Sequence, residues 1–365
     1  MNRSLILFQG LIIAFCIGVS ISSYGQRKPI PNLPETGVEE AGFNRDSINN
    51  LYTRIENTEH KDFRGLVVIK DNKIVIEWYF NTFWRNHIHD IRSAGKSITS
   101  LLLGVAIKEG LVQNIDQDVY SFFPKEKYPS LHEDYKKIEI KHLLDMSSGL
   151  HADSDDPETP GNAGQWIGRD EWVSYLLSIP MIEEPGKKWV YADINAALIG
   201  AIIEEKSGMS LRDFAKAKVF DPLGIEDFYW ETNASNQTVA AGNLYLSTLD
   251  FAKLGVLVAS HGRWGEEQII QSDYIKRLRT HQVFDLTDYW YLTDTYGMLW
   301  YKSERVYNGN KIEYLFASGN GGNHLIVVPE MNMVIALTSS AYGQGYAHRR
   351  AYAILGKILS ALESY

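Results

Sequence analysis

Arg92-Ser-Ala-Gly-Lys-Ser-Ile-Thr-Ser-Leu-Leu-Leu-Gly-Val-Ala-Ile-Lys108 is the stretch on which the reading of this chain turns. Its apolar residues recur at helical spacing, and Glu109-Gly110 stops the pattern. A helix is therefore expected to begin near Ser93. Positions three apart on a helix share a face, so the Lys96 amine can reach the Ser93 hydroxyl. Burial against the apolar stripe should lower the pKa of that amine towards the working range of a base. The start of the helix adds free backbone N–H groups, that of Ser93 among them, for a developing oxyanion. Serine and lysine also fall three apart by chance, as an N-cap serine followed by a solvated lysine, so the flanking sequence has to separate a nucleophile from an ordinary helix start.

Upstream, residues 26–40 are polar and rich in proline, and a helix is expected over 45–56. Residues 65–70 and 73–80, around Asp71-Asn72, read as a β-hairpin that leads directly to Ser93. The middle of the chain, from about 93 to 240, reads as mostly helical with long loops, including an Asp- and Gly-rich stretch at 151–168. Strands return at 311–317, 323–328 and 333–338, with Pro329-Glu330 between the last two, and an amphipathic helix over 346–362 closes the chain. Strands from both ends with helices between them imply one sheet built from N- and C-terminal segments, with a helical subdomain inserted at about 111–240. The class is α+β, and an active site is expected where sheet and helices meet.

With 365 residues, 45% of them hydrophobic and 22% charged, the chain suits one large globular domain, here residues 26–365. Arg3 is followed by an uncharged stretch, 4–25, with an apolar centre and the small residues Ser23 and Gly25. This reads as a signal peptide, 1–25, cleaved before Gln26, and implies an exported, periplasmic or secreted protein. The alternative is an uncleaved anchor, since about 20 apolar residues can span a bilayer; a membrane partner is expected only in that case. Cys16, the sole cysteine, lies inside this segment, so the mature chain is expected to contain no disulfide, thiol chemistry or thiolate metal site. Loss of Arg3 takes the net charge from −9 to −10, which speaks against a nucleic-acid partner. No obligate protein partner is evident.

Several phrases, in order along the chain, resemble the serine β-lactamase and penicillin-binding-like hydrolases, in the branch of class C β-lactamases, serine esterases, D-aminopeptidases and 6-aminohexanoate-dimer hydrolases. Ser93-Ala-Gly-Lys96 is similar to the Ser-x-x-Lys element. The segment from Gly110 to Pro124 resembles the phrase that follows it, and Ile138 to Leu150 resembles "I-x-I-x-x-L-L-x-H-x-S-G-L" with Met146 in the His position. Pro185-Gly-Lys-Lys-Trp-Val-Tyr191-Ala-Asp193-Ile-Asn195 resembles the Tyr-x-Asn element, and Gly242 to Gly255 and Tyr296-Gly-Met-Leu-Trp300 also fit.

The resemblance implies a β-lactamase-like fold and acyl transfer, with Ser93 as nucleophile and Tyr191 brought against it. A phenol beside a lysine ammonium can have its pKa lowered enough to shuttle a proton, so Lys96 is either the base or the charge that tunes Tyr191. Asp193 stands where the family often has Asn. A carboxylate only accepts, so Asp193 should pair with Lys96 rather than donate to a substrate carbonyl. Asn195 is then either a substitute donor or a structural residue at the start of the following helix. The third element, Lys/His-Thr/Ser-Gly, is matched by Ala317-Ser318-Gly319, without the cation. In β-lactamases and peptidoglycan carboxypeptidases that cation helps hold a substrate carboxylate, so Ala317 favours other esters and amides. The Asn320 N–H is a candidate second oxyanion donor.

Three further motifs carry ordinary explanations. His87-x-His89 would place two imidazoles on one face of an extended segment, but no third ligand accompanies them, and a surface or satisfied pair is expected. Asp153, Asp155, Asp156 and Glu158 lack EF-hand spacing and read as a solvated rim. The aromatic run from Tyr289-Trp290-Tyr291 to Trp300-Tyr301 reads as core or as a substrate wall. The expected protein is a serine hydrolase for a small ester or amide, with no cofactor and no metal. The alternative is a non-catalytic penicillin-binding-like protein that recognises cell-wall fragments or peptides.

Overall fold

Asp71 and Asn72, with φ of 53° and 57°, form a turn of left-handed residues whose twist suits a two-residue hairpin. They join β1 (Phe63–Lys70) to β2 (Lys73–Tyr79). The computed structural model to which they belong describes residues 33–363; the proposed signal peptide and Cys16 lie outside them. Six strands from the C-terminal part complete the sheet: β3 (Phe284–Asp285), β4 (Thr295–Gly297), β5 (Trp300–Tyr307), β6 (Asn310–Gly319), β7 (Asn323–Val328) and β8 (Met333–Ser339). The eight strands lie in the order β2-β1-β8-β7-β6-β5-β4-β3, every neighbouring pair antiparallel. Leu66 opposite Leu337 and Val68 opposite Ile335 fix the register at which the two ends of the chain meet.

Side chains alternate across a strand, and here the alternation sorts the protein into two cores. Val67, Ile69, Leu315, Ala317, Leu325, Val327, Val334 and Ala336 face one cluster. It is built with α2 (Gly95–Lys108), α3 (Asp193–Ser207) and α4 (Thr248–Ala259). Leu66, Val68, Tyr314, Phe316, Ile326 and Ile335 face the other, beneath α1 (Arg45–Glu56) and α5 (Tyr346–Ser360). The arrangement is α+β, with a large antiparallel sheet flanked by helices.

The inserted region is less helical than its sequence suggests. Between 111 and 240 only α3 and a run over 211–223, interrupted by a π turn, exceed five residues. The rest is short turns and loops pinned by large buried side chains, among them Phe122, Tyr135 and Trp166. Apolar residues spaced through it anchor loops to the core, and that spacing is what imitates helical periodicity.

β6 positions the site. Tyr301 opposite Phe316 is its last rung with β5, so Ala317, Ser318 and Gly319 have a free edge on that side. That end of β6 runs into the turn Arg92–Ala94 before α2: a Cβ on Gly319 would lie 2.0 Å from the Ile91 carbonyl oxygen.

Candidate active site

Ser93 sits in a 3₁₀ turn, Arg92–Ala94, between a short strand and α2. The strand His89–Asp90 pairs with Leu244–Leu246, and the Ile91 N–H donates to the Leu244 carbonyl at 3.0 Å. Arg92 then takes a left-handed φ of 53°, a costly conformation for a long side chain. Its N–H donates to Asp90 Oδ1 (2.8 Å), its guanidinium pairs with Asp90 Oδ2 (3.0 Å), and it lies 4.4 Å over the Tyr342 ring. These contacts hold the sharp turn that delivers Ser93 to the head of α2.

Lys96 is buried at the first turn of α2. Its Nζ donates to Ser93 Oγ (3.0 Å) and to the Ala241 carbonyl (2.8 Å), and pairs with Asp193 Oδ1 at 2.6 Å. It also lies 5.0 Å from the centre of the Tyr191 ring. Ala241 can come so close because Gly95 and Gly242 face each other; a Cβ on Gly95 would stand 3.3 Å from the Gly242 Cα. Burial is the largest influence on Lys96 and pulls its pKa down, but the Asp193 carboxylate and the Tyr191 phenol together outweigh it, and the net shift is upward. This corrects the expectation of a lowered amine: Lys96 is held as an ammonium.

The segment before α3 is extended, with Ala192 at φ −144°, ψ 125°, and its side chains alternate. Lys188, Val190 and Ala192 line a cavity of about 250 Å³ behind the segment. Tyr191 and Asp193 leave it on the other side, towards Lys96, and Trp189 packs beside Tyr191 with ring centres 6.1 Å apart. Asp193 opens α3, and its N–H donates to Ser154 Oγ (3.1 Å), while the Ser154 N–H donates to the Tyr191 carbonyl (2.9 Å).

Asn195 is not at the site. Fully buried, it donates from Nδ2 to the Ala192 carbonyl (3.2 Å) and Met146 Sδ (3.3 Å), and lines the rear cavity with an unpartnered Oδ1. Within the first turn of α3 its side chain points inward, so of its two expected roles the structural one describes it. Ser318 is half-buried opposite His324, and Gly319 abuts the turn that bears Ser93. Asn320 accepts from the Gly343 N–H at Oδ1 and from Asn323 Nδ2 at its carbonyl, both at 2.8 Å, which fixes the loop carrying its own N–H. Ala317 is buried in apolar surroundings.

The remaining motifs separate. His89 is buried, its Nε2 between the Ser339 carbonyl (3.1 Å) and the Tyr342 hydroxyl (3.2 Å), and His87 stacks on Phe83 at 3.8 Å. Asp153 and Asp156 accept backbone N–H bonds within their own loop. Of the aromatic run, Trp300 is core, Trp290 packs against Tyr301 and His348, and Tyr289 turns towards Trp189, 4.7 Å away. Sequence reasoning missed the Ala241 carbonyl, the left-handed Arg92, and the approach of Trp189, Tyr289 and Asp155. Gly242, between two apolar phrases, was a usable sign of close packing for the first; the others depend on loops far apart in the chain.

The family model described as Beta-lactamase matches residues 55–357. The chain belongs to the beta-lactamase family. A "Putative D-alanyl-D-alanine carboxypeptidase" of Escherichia coli O157:H7 is 25% identical over 250 residues, 62% of this chain and 55% of that protein. The same name is carried by a protein of Salmonella typhimurium strain LT2, 22% identical over 283 residues, 70% of this chain and 64% of the relative. The match thus spans less than two thirds of those relatives. Beta-lactamase-family folds also superpose on the structure. A "Putative 6-aminohexanoate-dimer hydrolase" from Bacillus anthracis does so with a TM-score of 0.72, 18% identity, and coverage of 92% of this chain and 88% of that one. An octameric penicillin-binding protein homologue from Pyrococcus abyssi gives 0.64, 22%, and 84% and 77%. A class C beta-lactamase gives 0.66, 14%, and 88% and 97%. At these identities the likeness is one of fold.

Proposed function

We propose that this member of the beta-lactamase family is an exported serine hydrolase that forms an acyl-enzyme at Ser93 with an ester or amide. The observation that carries the reading is Lys96 Nζ, which touches Ser93 Oγ at 3.0 Å while Asp193 holds its charge at 2.6 Å. An ammonium has no lone pair to accept the Ser93 proton, so the transfer falls to Tyr191. Ser93 Oγ attacks the carbonyl carbon and passes its proton to the Tyr191 oxygen. The phenolic proton moves to the leaving alkoxide or amine, so no net charge is created on the phenol. The N–H groups of Ser93 and Asn320 meet the oxyanion, and the free edge of β6 gives the substrate chain a place to lie. Water then attacks the acyl-enzyme, the same relay runs in reverse, and an acid leaves with Ser93 restored.

The names of the curated relatives point to peptides ending in D-alanine, whose carboxylate needs a cation. Ala317 supplies none, which favours substrates without that carboxylate. The uncharged 4–25 stretch supports export.

The test is intact-protein mass spectrometry after exposure to a fluorophosphonate, to nitrocefin and to a p-nitrophenyl ester, with Ser93→Ala alongside. An adduct or turnover lost in the variant supports the acyl-enzyme, and the reagent that reacts separates esterase from penicillin chemistry. A folded protein unmodified by all three is a binding protein. The N-terminal mass of the exported chain tests cleavage before Gln26.

A further inference from the structure

On the face of the sheet away from Ser93, α1 and α5 run antiparallel and are fastened to each other at both ends. At one end the Asn44 N–H donates to the Ala361 carbonyl (2.8 Å); at the other, His60, just past α1, stacks on Tyr346 at 4.1 Å. Between these fastenings the helices part around a cavity of about 610 Å³, within the size range of small-molecule sites. Tyr346 and Lys357 both line it, so it runs along about 16 Å of α5. Its floor is Leu51, Ile55 and Ile354, all buried. Arg349, Ala353 and Lys357 fall on one row of α5 at four-residue spacing, and the row has only a methyl at its centre, so no long side chain spans the gap there.

The rim is basic, although the whole chain has a net charge of −9. Arg54 from α1 and Arg349 and Lys357 from α5 are exposed, and their side chains take part in no ion pair or hydrogen bond among the described residues. Against them stands one lining carboxylate, Glu59. Arg350 lines the cavity as well: its Nη2 pairs with Asp62 (2.5 Å) and donates to Ser339 Oγ (2.6 Å), while its Nη1 is buried without a hydrogen-bond partner. An apolar trough edged by free cations is complementary to an alkyl chain with an anionic head, because the chain leaves water and the guanidinium groups meet the head as charge-assisted donors. A cationic amphiphile lacks the second contribution, and a small inorganic anion lacks the first. We propose that the cavity between α1 and α5 binds a free single-chain amphiphile with a carboxylate head, such as a medium-chain fatty acid. Binding there needs no acyl-enzyme chemistry at Ser93, because the sheet separates the two.

Calorimetry with decanoate, kept below its micelle concentration, should show saturable binding, and Ser93→Ala should bind it unchanged. Decyltrimethylammonium should bind more weakly by on the order of 10-fold, and from hexanoate to decanoate the affinity should rise by about two- to fourfold per added CH₂. The double variant Arg54→Gln/Arg349→Gln should lose on the order of 10-fold in affinity for decanoate, with the loss smaller at high salt. Ala353→Phe should abolish binding by filling the gap, and circular dichroism checks that both variants are folded. Should Ala353→Phe not fold, the double variant decides alone. Binding that survives in the folded variants belongs elsewhere, the Ser93 cleft included, and overturns the proposal. Equal affinity for the cationic amphiphile, or an affinity independent of chain length, overturns it too. A protein that ignores decanoate but sediments with phosphatidylglycerol vesicles turns this face to a membrane, which also overturns the proposed occupant.

Discussion

Lys96 Nζ lies 2.6 Å from Asp193 Oδ1, and this contact sets the charge of the site. Burial lowers the Lys96 pKa, and Asp193 and Tyr191 together raise it past its ordinary value, so replacing Asp193 by Asn removes the larger of the two opposing influences and the pKa should fall. A lower ammonium pKa means that the charge is lost at lower pH. The alkaline limb of a kcat/KM–pH profile should therefore move down in Asp193→Asn. An alkaline limb that stays in place would show that the activity does not depend on the Lys96 charge. Asp193→Ala should also destabilise the fold, by about 3–5 kcal/mol, because it strands a buried ammonium.

Tyr191→Phe separates the proton from the ring. The phenyl group keeps the face over which Lys96 lies at 5.0 Å and loses only the hydroxyl. If the hydroxyl relays the Ser93 proton, kcat should fall by about 10²–10⁴-fold with KM little changed. A change confined to KM would make Tyr191 a wall of the binding cleft, and steady-state kinetics on one ester distinguishes the two.

What the sequence makes legible is what local chemistry sets. Asp71-Asn72 tolerate left-handed φ, and the hairpin follows; Ser93 and Lys96 share a helix face, and their bond follows. An Asp in place of an Asn implies an ion pair in place of a donor, and Asp193 makes one. The sequence shows both burial and a partner for Lys96 but not which prevails: the 2.6 Å approach of Asp193, which with Tyr191 outweighs burial, is set by tertiary packing. Asn195 likewise reads as either inside or outside the site until the rotation of α3 is known. Tyr289 and Asp155 lie 134 positions apart on separate loops, and no periodicity links them.

Gly319 is required by space, its backbone needing no special conformation. An alanine methyl would stand 2.0 Å from the Ile91 carbonyl oxygen and 3.2 Å from the Ala94 nitrogen, both backbone atoms that cannot step aside alone. Gly319→Ala should therefore push β6 away from the Ser93 turn, costing about 1–3 kcal/mol in stability and lowering kcat. Gly37→Ala, with nothing within 4 Å of the added methyl, should stay within about 0.5 kcal/mol. Denaturant unfolding of both variants checks the contrast, and equal effects would mean that the β6 end yields freely.

His89 makes the fold sensitive to acid. Burial, with further contributions from Arg64, Arg92 and His87, lowers its pKa from 6.5 to about 4, although the Ser339 carbonyl pulls the other way. The unfolded chain therefore binds the proton between about pH 6.5 and 4 while the folded chain does not. Stability should be fully present above the upper value and be lost as pH falls through the window, by about 3 kcal/mol for such a shift at 1.36 kcal/mol per unit. The consequence reaches the site, because Tyr342 bonds His89 Nε2 at 3.2 Å and lies 4.4 Å beneath the Arg92 guanidinium that holds the Ser93 turn. Buried His324 and half-buried His348 and His142 also have lowered pKa and add to the same slope, so His89→Gln should flatten the dependence of unfolding free energy on pH in that range without abolishing it. If the variant is uniformly less stable but keeps the full slope, the titration belongs to His142, His324 and His348 and not to the residue beneath the catalytic turn.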